Sequence, residues 1–441
     1  MASPQGRIAH IGFSKESTFG TPVAASTYMR FISESLVSDI EMVVPANITG
    51  VPDEGPSYNG LKTHQGKVTF NAFPDSLGHW LSMAVGADSI TDFATVSLTA
   101  TPDASAGTLT AGTYYARVVS VEAGGAVVYT KEASVTLTTN TEIVYSWAAD
   151  VSETGGYRVY IGKVSSGVYE LGYITVAHST TTVTYTGSNS MTTSTPIPAE
   201  VYTHKFKPRM SDFSDLSFAQ PYTLEVHKDL GAAFQFSGCI ANKLLLKFGV
   251  GKGRGADMVL TAEADMLMKT VADLTATTPS FETPLPFLWN QAAIKVGGVS
   301  FTTLQDLSIE IDNGLEAYPF IDGTDEIQRI LSRAMRVVTV TGAMIADRDQ
   351  WAAFTAGTQQ DLNVVFTGAT LGGGHYTLTI DMPLLRYYKY PIPVPGPQLI
   401  MVTFDARAKY DPNDVSDTTT TPHSNGTPIV LTLGNDRDIP Y

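Results

Sequence analysis

The side chains in this sequence that could do chemistry are few, and they are poorly spaced for it. Gly249-Val250-Gly251-Lys252-Gly253-Arg254-Gly255 has the glycine density of a phosphate-binding loop. It lacks the spacing and the Lys-Ser/Thr pair that hold phosphate and magnesium, and reads as a hairpin turn. The eight histidines are scattered, with no HExxH and no metal-ligand spacing. Cys239, the only cysteine, sits in an alternating stretch with no histidine beside it, as a small core residue would. Carboxylates do recur at strand spacing, and two of them in one cleft could imitate a glycosidase pair. Here they run along several separate stretches instead. The expectation is therefore no enzyme, no cofactor and no metal.

The elements that must carry these residues are strands. The chain has 441 residues, 43% of them hydrophobic, and it is rich in Thr, Val, Gly, Tyr and Phe. Those residues favour pleated surfaces and turns, so an all-β fold with few short helices is expected. The formal net charge is −15. A protein that grips nucleic acid presents Lys and Arg to phosphate, so that class is disfavoured. A protein that nucleic acid must pass without sticking is not disfavoured, nor is a plain acidic soluble surface. One cysteine allows no intrachain disulfide. MASPQGRIAHIGFSKES shows no apolar leader core, and no apolar run is long enough to span a membrane. A bacterial-type cytoplasm is the expected place of synthesis and assembly.

An internal repeat organises the chain. Lys67-Val68-Thr69-Phe70 precedes Asp75–Gly86, and Val337-Val338-Thr339-Val340 precedes Asp347–Gly357. Each pair predicts a strand, an Asp cap, a short helix with an inward tryptophan (Trp80, Trp351) and a Gly stop. Upstream, 36–42 matches 306–312. Each is followed by about two dozen polar, Gly/Pro-bearing residues before the next strand. Downstream, 222–226 matches 362–366, 234–236 matches 376–380, and 258–264 matches 399–405. Residues 93–199 interrupt the first copy. They are poor in charge and show six or seven short strands, which reads as a β-sandwich. Trp147 and Tyr157-Arg158-Val159-Tyr160 resemble the core of a fibronectin-III or immunoglobulin-like module. Inserting a whole domain at a loop tip is physically cheap. The expected layout is a first unit at 1–92 and 200–275, the insert, a linker at 276–300, and a second unit at 301–441. Asp411–Thr427 reads as a solvated loop.

Taken in order, these features resemble siphophage tail-tube proteins, the tubes of long non-contractile tails. Gly12–Pro22 is similar to the arm that opens many of them, and Tyr222–Gly238 and Gly372–Tyr376 are similar to further landmarks. The resemblance covers all but the insert. It implies two fused tube domains, each a small β-sandwich with one helix. Three chains would then form a pseudo-hexameric ring, and the rings would stack in the virion tail. The insert would sit outside the tube. It further implies tail terminator, tape-measure and distal tail proteins as partners, and DNA passing through without specific binding. If each unit gives four wall strands, three chains supply about 24. At ~4.8 Å spacing and ~40–45° tilt the barrel is about 50 Å across, wide enough for duplex DNA.

Alternation then sorts the strand faces. Leu36, Ile40 and Met42 pack inward, as do Leu307, Ile309 and Ile311. The opposite faces carry Asp39 and Glu41, Glu263 and Asp265, Asp306, Glu310 and Asp312, Asp381, and Asp405, among few bases. One reading is an acidic lumen that repels phosphate within a Debye length of ~8 Å; the other is an ordinary solvated sheet. In related tubes the loops at 44–66 and 313–336 fold over the adjacent ring. Asp322, Asp325 and Glu326 with Arg329, Arg333 and Arg336 would then form inter-ring ion pairs, or a solvated loop. An alternative function is host-surface adhesion through the insert.

Overall fold

The computed structural model describes residues 6–441 apart from 47–52, 54–55, 87, 92–95, 104–106, 123–124, 139–140, 151–152, 164–168, 194–196, 199–200, 209–219, 251–257, 276, 282–283, 372–373, 395, 411–426 and 438. Most of the Gly249–Gly255 loop and of the 411–427 stretch therefore lies outside the described residues.

The first unit opens with β1 (His10–Lys15), β2 (Thr27–Met29), β3 (Ser33–Glu34), β4 (Val37–Val43) and β5 (Tyr58–Asn71), then α1 (Pro74–Val85) and β6 (Asp88–Thr91). The insert follows as β7 (Thr99–Asp103), β8 (Gly112–Glu122), β9 (Gly125–Val128), β10 (Ala133–Leu137), β11 (Glu142–Ser146), β12 (Glu153–Gly162), β13 (Gly172–Val176) and β14 (Thr182–Tyr185). The unit resumes with β15 (Tyr202–Phe206), β16 (Tyr222–His227), β17 (Ala232–Gly249), β18 (Thr261–Met268) and β19 (Thr270–Thr275). Next come β20 (Ala292–Val296), β21 (Val299–Ser300), β22 (Leu304–Asp312), β23 (Leu315–Tyr318), β24 (Arg329–Ser332) and β25 (Val337–Ile345). The chain finishes with α2 (Arg348–Ala356), β26 (Gln360–Leu371), β27 (Gly374–Lys389), β28 (Met401–Ala408) and β29 (Val430–Asn435).

The connectivity repeats. In one sheet β1 pairs with β16, β16 with β17, and β17 with β19; in another β20 pairs with β26, β26 with β27, and β27 with β29. Facing these outer layers, β3, β5, β18 and β17 lie side by side, and so do β22, β25, β28 and β27. β17 and β27 are long enough to serve both layers. β17 crosses at Gly238, whose φ of 65° is a left-handed conformation that favours glycine. One apolar core fills the space between layers and runs through both units, from Val68 and Leu244 to Val340 and Leu378. Residues 292–300, expected as linker, instead form β20 and β21 on the second unit. Gly12–Pro22 begins inside the sheet, with β1 between β2 and β16.

The helices differ more than their sequences suggest. α1 has Leu77, Trp80, Leu81 and Ala84 at helical spacing, and every residue from Ser76 to Val85 is buried. Trp80 stacks on Phe70 at 4.6 Å, and its Nε1–H points at Met29 Sδ. α1 starts at Phe73 without a side-chain cap; Asp75 lies inside its first turn. Asp347 does cap α2, accepting from the Asp349 and Gln350 amides. Trp351, expected inside, is 42% exposed. α2 packs chiefly on β27, with Gln350 held by the Tyr387 hydroxyl, and no described element covers its other side.

The insert is a two-layer β-sandwich: β10, β8, β12 and β13 face β14, β11 and β7. Trp147 meets Tyr157 edge-on at 5.3 Å in its core. Entry strand β6 and exit strand β15 are paired, Thr91 beside Thr203, so the insert leaves and rejoins the unit at one point.

Candidate functional site

The two inner sheets are joined. β17 pairs with β22 from Lys243 opposite Asp312 to Gly249 opposite Asp306. The result is one antiparallel wall of eight strands in the order β3, β5, β18, β17, β22, β25, β28, β27. One face is buried across the middle of the wall: Ala262, Ala264, Leu307, Ile309, Ile311, Val338, Val340, Val402 and Ala406 are all 2% exposed or less. Period-two alternation sends their neighbours to the other face, which no described element covers.

Six of the acids read from the sequence share that open face: Glu263, Asp265, Asp306, Glu310, Asp312 and Asp405. Thr261, Ser308, Thr339, Thr341 and Thr403 stand among them. The structure adds bases that sequence reading passed over, because Lys243, Lys247 and Lys389 come from strands paired only in three dimensions. Lys67 Nζ meets Glu263 Oε1 at 2.7 Å and Asp265 Oδ1 at 3.6 Å, and Lys243 Nζ meets Asp312 Oδ2 at 2.6 Å. The hydrogen bond that Lys67 donates to Glu263 holds its ammonium above its usual range, and the one that Lys243 donates to Asp312 does the same there. The face is a lattice of alternating charge with threonine between, and its acids are not among few bases.

Three expected wall acids lie elsewhere. Asp381 is on the outer part of β27, where it accepts from Asn363 Nδ2 at 3.2 Å. Asp39 and Glu41 sit on β4, which is exposed along its whole length and carries Val37, Ile40 and Met42 at 54%, 47% and 70% exposure. Only Leu36 of that stretch packs inward. The reason is a shift in the repeat. Ser33 lies opposite Thr69 as Glu310 lies opposite Thr339, so β3 takes the place of β22. β4 then forms a projecting hairpin with β5, whose strand begins at Tyr58.

The 313–336 segment is a hairpin of β23 and β24, and it turns back onto the first unit. Lys62 Nζ meets Asp325 Oδ2 at 2.9 Å, and the Lys62 amide donates to the Asp325 carbonyl. The Lys62 hydrogen bond keeps the Asp325 carboxyl below its usual range. Asp322 caps its own turn through the Thr324 amide, and Arg333 meets Glu316 at 2.9 Å. Arg336 Nε donates to Asn313 Oδ1, and burial pulls that guanidinium down to about 10. Glu326 and Arg329 stand near the tip, Arg329 exposed beside Tyr318. Asn313 was missed in the sequence. It is 3% exposed, and its Nδ2 donates to the carbonyls of Ala84 and Ala241 in the first unit.

Among the described residues no group of His, Cys, Asp and Glu could hold a metal, and no helix is long and apolar enough to cross a membrane. Cys239 is buried and its thiol is pushed well up by burial. A family model for phage tail tube protein matches residues 6–408, nearly the whole chain. The chain belongs to the phage tail tube family. No curated protein matches it. Membership makes this tube protein a structural component of the virion tail, and gives the open eight-stranded wall a place to act.

Proposed function

We propose that three copies of this tube protein close into a pseudo-hexameric ring, and that stacked rings form the tube of a long, non-contractile tail that conducts DNA to the host. One observation carries the reading: a continuous eight-stranded wall built from two like units, buried on one face, open and polar on the other, with no described strand beyond either end. A lone chain of eight strands would close only a small, filled barrel. Three chains give about 24 strands and a bore about 50 Å across at the backbone.

The open face is the lumen in this reading. Its acids oppose settling of phosphate, and the lysines beside them keep the field weak beyond a Debye length of ~8 Å. DNA then meets a wall of fixed, mutually satisfied charges and threonine hydroxyls, with no basic groove to arrest it. The insert, tied at the paired β6 and β15, sits on the outside. Tail terminator, tape-measure and distal tail proteins are the expected partners, and assembly takes place in the host cytoplasm. Negative-stain microscopy of the purified protein at rising concentration tests this. Hollow tubes of uniform width with threefold or sixfold end views are expected. A protein that stays monomeric throughout, or forms solid fibres, would refute it.

A further inference from the structure

Inside the chain the two units meet at one seam, and its parts are all on view. β17 and β22 pair antiparallel, Leu245 opposite Glu310. The β23–β24 hairpin crosses the seam. It buries Leu315 and Ile330 against Ile240, and the Leu315 amide donates to the Asn242 side chain. The same parts recur at the two ends of the wall, with no strand partner among the described residues. β27 is the counterpart of β17; from Arg386 to Lys389 it has β28 on one side and no described strand on the other. β3 is the counterpart of β22, and among the described strands it pairs only with β5. Ile32 is 57% exposed, whereas Ile309, at the matching place before the Thr-facing residue, is 0%. The β4–β5 hairpin is the counterpart of β23–β24. Its Ile40 and Met42 are bare, whereas Leu315 and Ile330 are 7% and 0% exposed. One device is dry at the inner seam and bare at the outer one.

We propose that a second copy of the chain completes the bare seam by the rule of the inner one. Residues Arg386–Lys389 of one copy pair antiparallel with Phe31–Ser33 of the next, Arg386 opposite Ser33. The next copy's β4–β5 hairpin lies across the second unit. The contact joins different surfaces of the two copies, so repetition closes a ring instead of stopping at a dimer. The hairpins thereby clasp neighbours within a ring; the internal Lys62–Asp325 contact is the existing example. This inference rests on the ring reading above and specifies its contact.

The experiment is a double variant, Ser33→Cys with Arg386→Cys, polymerised, oxidised and run on a non-reducing gel. Leu245→Cys with Glu310→Cys is the control, since opposed strand residues lie within disulfide reach and this pair bridges inside one chain. Cys239 is fully buried and stays out of the chemistry. Covalent dimers and trimers are expected from most chains in tubes. Tubes whose chains all run as monomers, while the control bridges, would overturn the seam and leave the ring reading standing. Wild-type protein that never forms tubes would sink both. Should the double variant not polymerise, Ile32→Asp decides the matter, because Ile32 is already exposed in the single chain. Its thermal melt should match wild type while light scattering shows polymerisation slowed at least tenfold; unchanged polymerisation overturns the proposal.

Discussion

Replacing Asn313 by alanine should destabilise the folded chain by about 3–5 kcal/mol. The side chain is 3% exposed and makes three hydrogen bonds, donating to Ala84 O at 2.7 Å and Ala241 O at 3.1 Å and accepting from Arg336 Nε at 2.7 Å. Each neutral bond contributes roughly 1 kcal/mol net, and a bond to a charged donor about 1.5–3. Alanine also strands two carbonyls and a guanidinium that burial already disfavours, which places the total in the upper part of that sum. The residue ties the end of α1, the strand β17 and the second unit together, so the loss should appear as separation of the units. Urea unfolding of the unpolymerised protein followed by tryptophan fluorescence measures it. A second cycle with Arg336→Met should show coupling of more than about 1 kcal/mol. A loss below about 1 kcal/mol in Asn313→Ala, or additivity with Arg336→Met, would refute the assignment of Asn313 as the clasp between units.

Other outcomes are equally specific. Trp80→Ala should cost about 3–5 kcal/mol, because a fully buried ring leaves a cavity. Trp351→Ala, on the uncovered side of α2, should stay under about 1 kcal/mol by the same urea assay. Burial, helped by the Asp436 charge, raises the Asp75 carboxyl to about 7. The folded chain thus binds a proton the unfolded chain releases near pH 4, and stability falls as pH rises through about 7. Asp75→Asn should therefore melt like wild type near pH 4 and gain about 1–2 kcal/mol at pH 8, a partial exposure having reduced a ceiling of about 4; equal melts at both pH values would show the carboxyl is not so shifted. Residues 93–199 replaced by a short Gly/Ser turn should still give tubes of unchanged bore, because β6 and β15 are already neighbours at Thr91 and Thr203. Folded monomer that no longer polymerises would place the insert in the ring contacts.

How much of this was legible in the sequence depends on the range of the interaction. Alternation alone separated Leu307, Ile309 and Ile311 from Asp306, Glu310 and Asp312, since the pleat puts every second residue on one face whatever lies beyond. The Asp347 cap and the glycines ending both helices were equally local. The strand rhythm of 93–199 was visible for the same reason. What needed the tertiary structure was pairing between distant segments. Periodicity marked Asp381 as polar-facing, but β27 passes from one sheet to the other, and only its last residues reach the wall. It marked β4 as half buried, although no described layer covers it. Lys243, Lys247 and Lys389 joined the acidic face only through pairing with other strands, as Lys243 does opposite Asp312. Asn313 reads as one polar residue after a strand; its worth comes from two carbonyls in the other unit that no local pattern could announce. Sequence fixes which side of a strand is wet, because that is local geometry; what lies next to the strand is a long-range choice, made by the packing of the whole core.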